Sequence, residues 1–284
     1  MKLLINLLCC LIPGSKARKT IRKWRRQLVS SRECREQLSN YGCAIESDIA
    51  LIKEHIRLDL SDNAKAFVTI REIFIDEIYN LSCEGDLVVI DIGMNRAIAS
   101  LFFSAKENVR KIYAFEPFKP TVALAKKNLD LNPELSKKIQ VFTYGLGKKN
   151  VILEVPYSPE ESDRARSIFA ISAKQNSWTE TVTVKDAAEV LAPIFEEHKS
   201  TRIVIKCDCE GAEFDIFERL DEAKLIGNID IILMEYHFEK PDRLVKILTE
   251  AGFAVNVQKS KKNKHIFGYL YAVKTQNRQN DPRQ

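Results

Sequence analysis

Two short apolar runs each end in a residue of a kind that helps to bind nucleosides. The run LVVIDIG, at 87–93, ends in a turn that carries Gly93. A glycine directly after a strand lets the backbone approach a bound ligand closely. The next run, KIYAFEP at 111–117, carries Glu116, about 20 residues beyond that glycine, where a carboxylate can accept hydrogen bonds from both hydroxyls of a ribose. Together these features predict a cofactor of the adenosine type.

The composition of the turn distinguishes between two such cofactors. It contains only Gly93 and no G-x-G-x-x-G, so nothing in it is shaped for a pyrophosphate. The last two apolar runs of the chain predict an antiparallel hairpin, which is typical of methyltransferases and not of dehydrogenases. We therefore predict S-adenosyl-L-methionine as the cofactor, and a nicotinamide-dependent oxidoreductase is the alternative.

A second group of polar side chains follows the fourth and fifth predicted strands of this region. Strand alternation places Lys206, Asp208 and Glu210 on one face. Three charges on a buried strand cost free energy unless they face a cleft or pair with one another. Glu235 and His237 share a face of the next strand. Because these two strand ends should be adjacent, we expect one pocket to gather both sets.

Each of these side chains has a functional and a structural interpretation. Asp208 and Glu210 face the substrate, or they order a loop through a network with Lys206. His237 is a general base, or a hydrogen-bonded residue that supports one. Oxygen and imidazole ligands also converge here, but no tight local spacing enforces coordination, so we predict no metal.

The elements around these residues alternate between apolar strands and amphipathic helices over 85–275. This alternation predicts an α/β fold with a doubly wound sheet, in which ligands bind at the carboxyl ends of the strands. Residues 150–185 interrupt the alternation with short antiparallel strands and a polar loop, Ser158 to Ser167, of the kind that forms lids. Residues 27–84 carry apolar stripes with helical spacing and predict a helical extension. Residues 276–284 form a polar tail.

The motifs DIGMNRA, AFEP, IKCDCEGAE and MEYH resemble, in order and spacing, those of the FkbM family of S-adenosylmethionine-dependent methyltransferases. This resemblance implies a seven-stranded class I methyltransferase sheet with Rossmann-like topology. It also implies two sets of site residues. Those that would border the cofactor are Asp91, Gly93, Asn95, Glu116 and Gly145, and those that would face the acceptor are Asp208, Glu210 and His237.

The chain departs from the family pattern at two positions of the first motif. Met94 stands where the family has alanine, and Ala97 stands where it usually has glycine. The additional methyl group at Ala97 could crowd the following helix against the strand. This departure motivates the alternative of a degenerate member without activity.

The charge of the chain is concentrated at its N-terminus. Net charge is +5, yet residues 1–26 contain eight Lys and Arg and no acidic residue. An apolar stretch too short to span a bilayer precedes this basic cluster, which suits an anchor on an anionic membrane surface; packing on the body of the protein is the alternative. Nucleic-acid binding has no motif to support it.

Seven cysteines without a C-x-x-C pair favour free thiols in a reducing compartment.

These features define one principal functional hypothesis. We predict an O-methyltransferase that acts on a sugar hydroxyl in surface-polysaccharide or related glycan biosynthesis, with His237 or Asp208 accepting the proton. We expect a cytoplasmic protein with a peripheral contact to the cytoplasmic face of the membrane. A catalytically degenerate, membrane-tethered protein that binds the cofactor or acts as a scaffold is the alternative.

Overall fold

The computed structural model describes residues 36–53, 55–60, 64–157, 178–259 and 266–275. It divides the chain into two units, Met1–Ile78 and Tyr79–Gln284. Four segments lie outside the described residues: the basic arm 1–26, the loop Ser158 to Ser167, the tail 276–284 and the apolar run SIFAIS at 167–172, which is one of the short strands predicted within 150–185. In the described ranges, no helix is both long and apolar enough to cross a bilayer.

The first unit contains strands where the sequence predicted helix. Its elements are β1 (Cys43–Glu46), β2 (Ile49–Ile52), β3 (Ile56–Asp59), helix α1 (Ala64–Ile70) and a π-helical segment (Arg71–Ile75). Ile52 and Ile56 are cross-strand partners of a hairpin, so their four-residue spacing imitates a helical stripe. His55, which the sequence placed on a helix, is an exposed residue of the connecting turn.

The second unit is built on a sheet of seven strands. They are β4 (Leu87–Ile92), β5 (Val109–Phe115), β6 (Ile139–Phe142), β10 (Arg202–Cys207), β11 (Ile231–His237), β12 (Phe253–Lys259) and β13 (Phe267–Lys274). Their order is β12-β13-β11-β10-β4-β5-β6. Strand β13 is antiparallel to both β12 and β11, and the other neighbouring strands pair in parallel. The predicted doubly wound sheet with an antiparallel ending is confirmed.

Helices connect these strands, and the apolar faces of three of them share one core with the sheet. The helices are α2 (Ile98–Ser104), α3 (Lys119–Asp130), α4 (Pro133–Ser136), α5 (Ala187–Glu197), α6 (Glu213–Glu222) and α7 (Asp242–Glu250). Leu191 of α5, Phe217 of α6 and Leu244 of α7 belong to the same buried cluster as strand residues such as Ile205. Every residue of β4 is buried, as is usual for a central parallel strand covered on both faces. This burial explains why β4 is almost continuously apolar.

The insertion at the sheet edge forms a small sheet of its own. Its strands are β7 (Gly145–Gly147), β8 (Val151–Tyr157) and β9 (Trp178–Asp186), in the order β7-β9-β8, and β8 pairs with β9 in antiparallel fashion. The last residue of β9, Asp186, caps α5 by accepting hydrogen bonds from two backbone N–H groups.

Candidate active site

The turn after β4 brings two segments of backbone into close contact. Gly93 has φ of +79°, and a Cβ at this position would lie 1.8 Å from the carbonyl oxygen of Asp208. The backbone N–H of Asp208 donates to the carbonyl oxygen of Ile92 at 3.0 Å. Only glycine fits here, because both the backbone conformation and the neighbouring carbonyl exclude a side chain. The turn that was predicted to border the cofactor therefore touches the segment predicted to face the acceptor.

Glu116 lies at the end of β5 with its carboxylate fixed by two backbone donors. The N–H of Asn95 donates to Oε2 at 3.0 Å, and the N–H of Phe118 donates to Oε1 at 3.1 Å. The side-chain Oδ1 of Asn95 is buried, and no hydrogen-bond partner for it is found among the described residues. A buried acceptor without a donor beside an oriented carboxylate fits a ligand that brings its own hydroxyl or amino donors.

Asp91, which the sequence placed beside the cofactor, is enclosed in a network behind the turn. Its side chain is fully buried, accepts a hydrogen bond from Ser100 Oγ at 2.5 Å and lies 3.0 Å from Lys206 Nζ. Lys206 also donates to the carbonyl oxygen of Gly93 at 2.6 Å. Burial alone lowers the pKa of Lys206, but the charges of Asp91 and Asp208 raise it above its ordinary value. Asp91 thus holds the cation that fixes the glycine turn.

Two further residues of the turn adopt left-handed backbone conformations. Asn95 has φ of +53° and Ala97 has φ of +61°, immediately before α2. Ala97 is fully buried. The family's glycine at this position is explained by the backbone, because the left-handed conformation places Cβ close to the following carbonyl oxygen.

Gly145 begins β7 and lies beside Pro117. A Cβ at Gly145 would meet Pro117 Cβ at 3.4 Å, a contact that a small side chain tolerates with slight adjustment. The residue is therefore on the same side of the sheet end as Glu116, which precedes Pro117. Its place beside the cofactor stays a prediction.

A cluster of acidic side chains surrounds His237 at the ends of β10 and β11. Nδ1 of His237 lies 2.9 Å from Oε1 of Glu213, and the imidazole is largely buried. Nε2 lies 3.6 Å from Oε1 of Glu235 and 3.8 Å from Oε2 of Glu210. The sequence-based expectation that Asp208, Glu210, Glu235 and His237 gather in one place describes this cluster correctly, since ligand atoms of Asp208, Glu235 and His237 lie within 4.8 Å of one another.

Glu213 is the functional residue that the sequence analysis did not assign. It is fully buried and accepts hydrogen bonds from the backbone N–H groups of Cys209 at 3.2 Å and Gly211 at 2.8 Å. Its third contact orients His237. Glu213 is the last residue of the motif IKCDCEGAE, and this was the sequence signal that could have identified it. Its hydrogen bonds to Cys209 and Gly211 stabilise the loop formed by that motif.

Tyr79 was also missed, because it lies far from the motifs in sequence. Its hydroxyl donates to Oδ2 of Asp208 at 3.3 Å. Burial, and then the negative charges of Asp208 and Glu235, raise the pKa of Tyr79 well above its ordinary value, so it remains a donor. No spacing rule links this residue to the strand ends.

The protonation of the cluster differs from the simple general-base hypothesis. Burial raises the pKa of Glu210 to about 8, assisted by Asp208, Glu235 and Glu213 and opposed by His237. Burial alone would lower the pKa of His237, but its contacts with Glu213 and Glu235 raise it to about 12. A histidine with this pKa already carries its proton near neutral pH and cannot accept another one.

The sheet, the glycine turn and the oriented carboxylate at the end of β5 define a class I S-adenosylmethionine-dependent methyltransferase. The reversed β13 separates this sheet from the all-parallel sheet of classical dinucleotide-binding domains, and the turn offers no pyrophosphate loop. The chain belongs to the FkbM family, since the model of the Methyltransferase FkbM domain matches residues 91–255, more than half of its length.

Individual proteins are also similar to this chain. Methyltransferase 1 of Beauveria bassiana is 27% identical over 205 residues, covering 66% of this chain and 81% of that protein. Methyltransferase sdnD of Sordaria araneosa is 26% identical over 211 residues, covering 65% and 81%. The crystal structure of Methyltransferase FkbM from Methylobacillus flagellatus is 12% identical with a TM-score of 0.43, covering 71% of this chain and 47% of that one.

Proposed function

We propose that this chain transfers the methyl group of S-adenosylmethionine to a sugar hydroxyl, and that Asp208, Glu210 and His237 face the acceptor. The observation that carries the proposal is the backbone contact between Gly93 of the cofactor turn and Asp208 of the acidic cluster. This contact supports a methyl donor and an acceptor held side by side, which is what an in-line transfer requires.

The residues that would hold the cofactor are those of the glycine turn and Glu116. S-adenosylmethionine supplies a methyl group that its sulfonium has already activated. Lys206 and Asp91 fix the turn from behind, and Asn95 offers the buried Oδ1 as an acceptor. Glu116 presents a carboxylate whose orientation is set by two backbone N–H groups.

The proton of the acceptor hydroxyl passes to a carboxylate in this proposal. His237 carries a positive charge near neutral pH, so its role is to hold the acidic side chains and the acceptor in position. The carboxylate of Asp208 lies beside it and is the available base, because Glu210, with a pKa of about 8, holds its own proton near neutral pH. Glu210 has φ of +55°, a left-handed backbone conformation that is uncommon for residues other than glycine.

A groove beside His237 supports a sugar as the acceptor. Its volume is about 360 Å³, and its walls include Phe214, Phe238 and Arg243. The side chain of Phe238 is half exposed, and the guanidinium of Arg243 lies 5.2 Å from the centre of the Phe214 ring. The exposed ring of Phe238 beside hydrogen-bonding groups suits a sugar ring, which presents an apolar C–H face and a rim of hydroxyls.

The basic arm, residues 1–26, places the reaction at a membrane in this proposal. Eight cationic side chains follow or flank an apolar stretch, a combination that binds the anionic headgroups of a cytoplasmic leaflet. Membrane-side assembly of a surface glycan would bring the acceptor to this location.

The test compares site variants by cofactor binding and by product. Asp208→Ala and His237→Ala should bind S-adenosylmethionine in calorimetry as the unaltered protein does, yet restore no methylated sugar when introduced into cells that lack the gene. The readout is mass spectrometry of the cellular glycans. Unchanged methylation by both variants would contradict the assignment of these residues to the acceptor side. Glycans that are the same with and without the gene would contradict a sugar as the acceptor.

The second candidate function is a scaffold without activity, and the observation that favours it is Ala97 in a glycine conformation. Calorimetry separates the two candidates. Heat of binding with S-adenosylmethionine that disappears in Glu116→Ala supports the enzyme, whereas no heat at millimolar ligand supports the scaffold.

A further inference from the structure

We propose that Asp208, Glu235 and His237 bind a divalent metal ion at the ends of β10 and β11. The sequence alone did not favour a metal, because no short spacing joins these residues. The fold supplies the missing proximity: β10 and β11 are parallel neighbours, and each ends in this cluster. One ligand atom from each of the three side chains lies within 4.8 Å of the others.

The separation between His237 and Glu235 suits two ligands of a common ion better than a direct hydrogen bond. Nε2 of His237 lies 3.6 Å from Oε1 of Glu235, beyond hydrogen-bonding distance. Two ligand atoms that each lie about 2.0–2.2 Å from one cation are about 2.8–3.6 Å apart for octahedral or tetrahedral angles. The observed separation is at the upper end of that span.

The imidazole is held in the orientation that a metal ligand needs. Its Nδ1 contacts Oε1 of Glu213 at 2.9 Å, and Glu213 is itself fixed by two backbone N–H groups. Metal-ligating histidines usually donate their other ring N–H to such a carboxylate, which sets the tautomer and leaves one nitrogen for the ion. Here that nitrogen is Nε2, which points toward Glu235 and Glu210. Binding of the ion would displace the proton that Nε2 carries in the metal-free protein, because a ligating imidazole must be deprotonated.

The surrounding side chains complete the argument from charge. Four carboxylates, those of Asp208, Glu210, Glu213 and Glu235, lie around the one imidazole. The nearby cation Lys206 is engaged by Asp91 and by the carbonyl oxygen of Gly93. A divalent ion would offset this excess of negative charge. Two carboxylates and one imidazole suit ions of intermediate hardness such as Mn²⁺ or Zn²⁺, with water or substrate in the remaining positions.

In the reaction, this ion would coordinate the acceptor hydroxyl, a step that rests on the proposed function. Coordination lowers the pKa of a bound hydroxyl and fixes its oxygen in place. With Asp208 among the ligands, Glu210 is the remaining carboxylate beside the site, since its Oε2 lies 3.8 Å from His237 Nε2. Glu210, in its ionised form, would accept the proton as the O–H bond breaks. The acceptor oxygen would form its bond to the methyl carbon while the bond from that carbon to the sulfonium sulfur breaks, which leaves S-adenosylhomocysteine.

The experiment measures the metal directly and without an acceptor. Full-length protein is stripped with a chelator and titrated with Mn²⁺, followed by calorimetry and by the loss of the free-ion signal in electron paramagnetic resonance. We expect saturable binding of one Mn²⁺ per chain, and pulsed resonance should detect coupling to an imidazole nitrogen. Zn²⁺ in a second titration should compete for the same site.

Variants locate the site and separate it from the rest of the proposal. Asp208→Asn and Glu235→Gln should each weaken Mn²⁺ binding more than tenfold, and Glu213→Gln should weaken it about 10–100-fold through the orientation of His237. Glu239→Gln, an exposed carboxylate two residues beyond His237, is the control and should bind as the unaltered protein does. Circular dichroism checks the fold of each variant.

The outcomes distinguish this inference from the proposed function. No saturable Mn²⁺ binding, or equal loss in Glu239→Gln, overturns the metal site. Mn²⁺ binding with nitrogen coupling in a protein that methylates no sugar keeps the metal site and removes the proposed function. Methylation of the sugar by a protein that binds no metal does the reverse.

Discussion

At the scale of single residues, the cofactor turn depends on backbone conformations that few side chains permit. Gly93, Asn95 and Ala97 all have positive φ within five residues of chain. The strain differs among them, because glycine adopts this region freely and alanine does not. The turn therefore contains one position that cannot be altered and one that can be improved.

The position that can be improved is Ala97. Ala97→Gly should raise the free energy of unfolding by about 0.5–1 kcal/mol, because relief of the left-handed strain exceeds the added entropy of the unfolded chain. Urea denaturation measures the change. Ala99→Gly, in the right-handed backbone of α2, is the control and should lower stability by about 1 kcal/mol. Equal losses in both variants would show that strain at Ala97 is absent.

The position that cannot be altered is Gly93. Gly93→Ala meets the carbonyl oxygen of Asp208 as well as backbone strain, so it should abolish binding of S-adenosylmethionine and lower stability. Gly252→Ala is the matched control: its φ is +86°, but no atom lies within 4 Å of the added Cβ. That variant should lose only about 1–2 kcal/mol and keep its cofactor. Calorimetry and thermal unfolding measure both effects, and similar behaviour of the two variants would argue against the contact.

At the scale of elements, the junction between β9, α5 and α6 depends on one carboxylate. Asp186 ends β9, caps α5 and accepts two hydrogen bonds from Nε of Arg219 on α6, at 3.0 and 2.8 Å. Burial tends to raise the pKa of Asp186, but Arg219 and the two capping N–H groups lower it below its ordinary value overall. The three elements are thus joined most firmly when this carboxylate is ionised.

Asp186→Asn should therefore destabilise the protein by about 1–2 kcal/mol near neutral pH. The sign of the pH dependence follows from the lowered pKa. The contribution of the carboxylate is present above the pKa of an unfolded aspartate, about 3.9, and is lost as the pH falls through the lower pKa of the folded state. Urea denaturation at several pH values should show the variant and the unaltered protein converging in acid. A difference that stays constant would place the effect elsewhere.

The sequence predicts the large sheet well because its signals are local and strong. Continuous apolar runs identify β4 and β10, and the acidic ends of these strands follow from alternation. The prediction of helix is wrong for residues 43–59, because the spacing of apolar residues in a β-hairpin is the same there as in a helix. The sequence also cannot supply Tyr79, since only the tertiary fold brings that hydroxyl to Asp208. The pairing of Lys206 with Asp91 likewise depends on strand order, which determines which carboxylate lies nearest.

At the scale of the whole molecule, charge separates the N-terminal arm from the body. Residues 1–26 hold eight cationic side chains, while the chain as a whole carries only +5. The remainder is therefore slightly acidic and has no general attraction to an anionic surface.

Removal of residues 1–26 should abolish binding to vesicles that contain anionic lipid but should leave the affinity for S-adenosylmethionine unchanged. The unaltered chain should lose its vesicle binding as salt is raised, because the attraction is electrostatic. Sedimentation with vesicles measures the first property and calorimetry the second. Binding to neutral vesicles alone would assign the interaction to the apolar stretch.

The contact between Gly93 and Asp208 also has a thermodynamic consequence. A molecule that settles on the glycine turn restrains the peptide that carries Asp208, because the two backbones touch and share a hydrogen bond through Ile92. Restraint of that peptide favours whatever binds on its other side, and such linkage is reciprocal. We therefore expect the bound methyl donor to raise the affinity of the protein for the acceptor, and the bound acceptor to raise its affinity for the methyl donor.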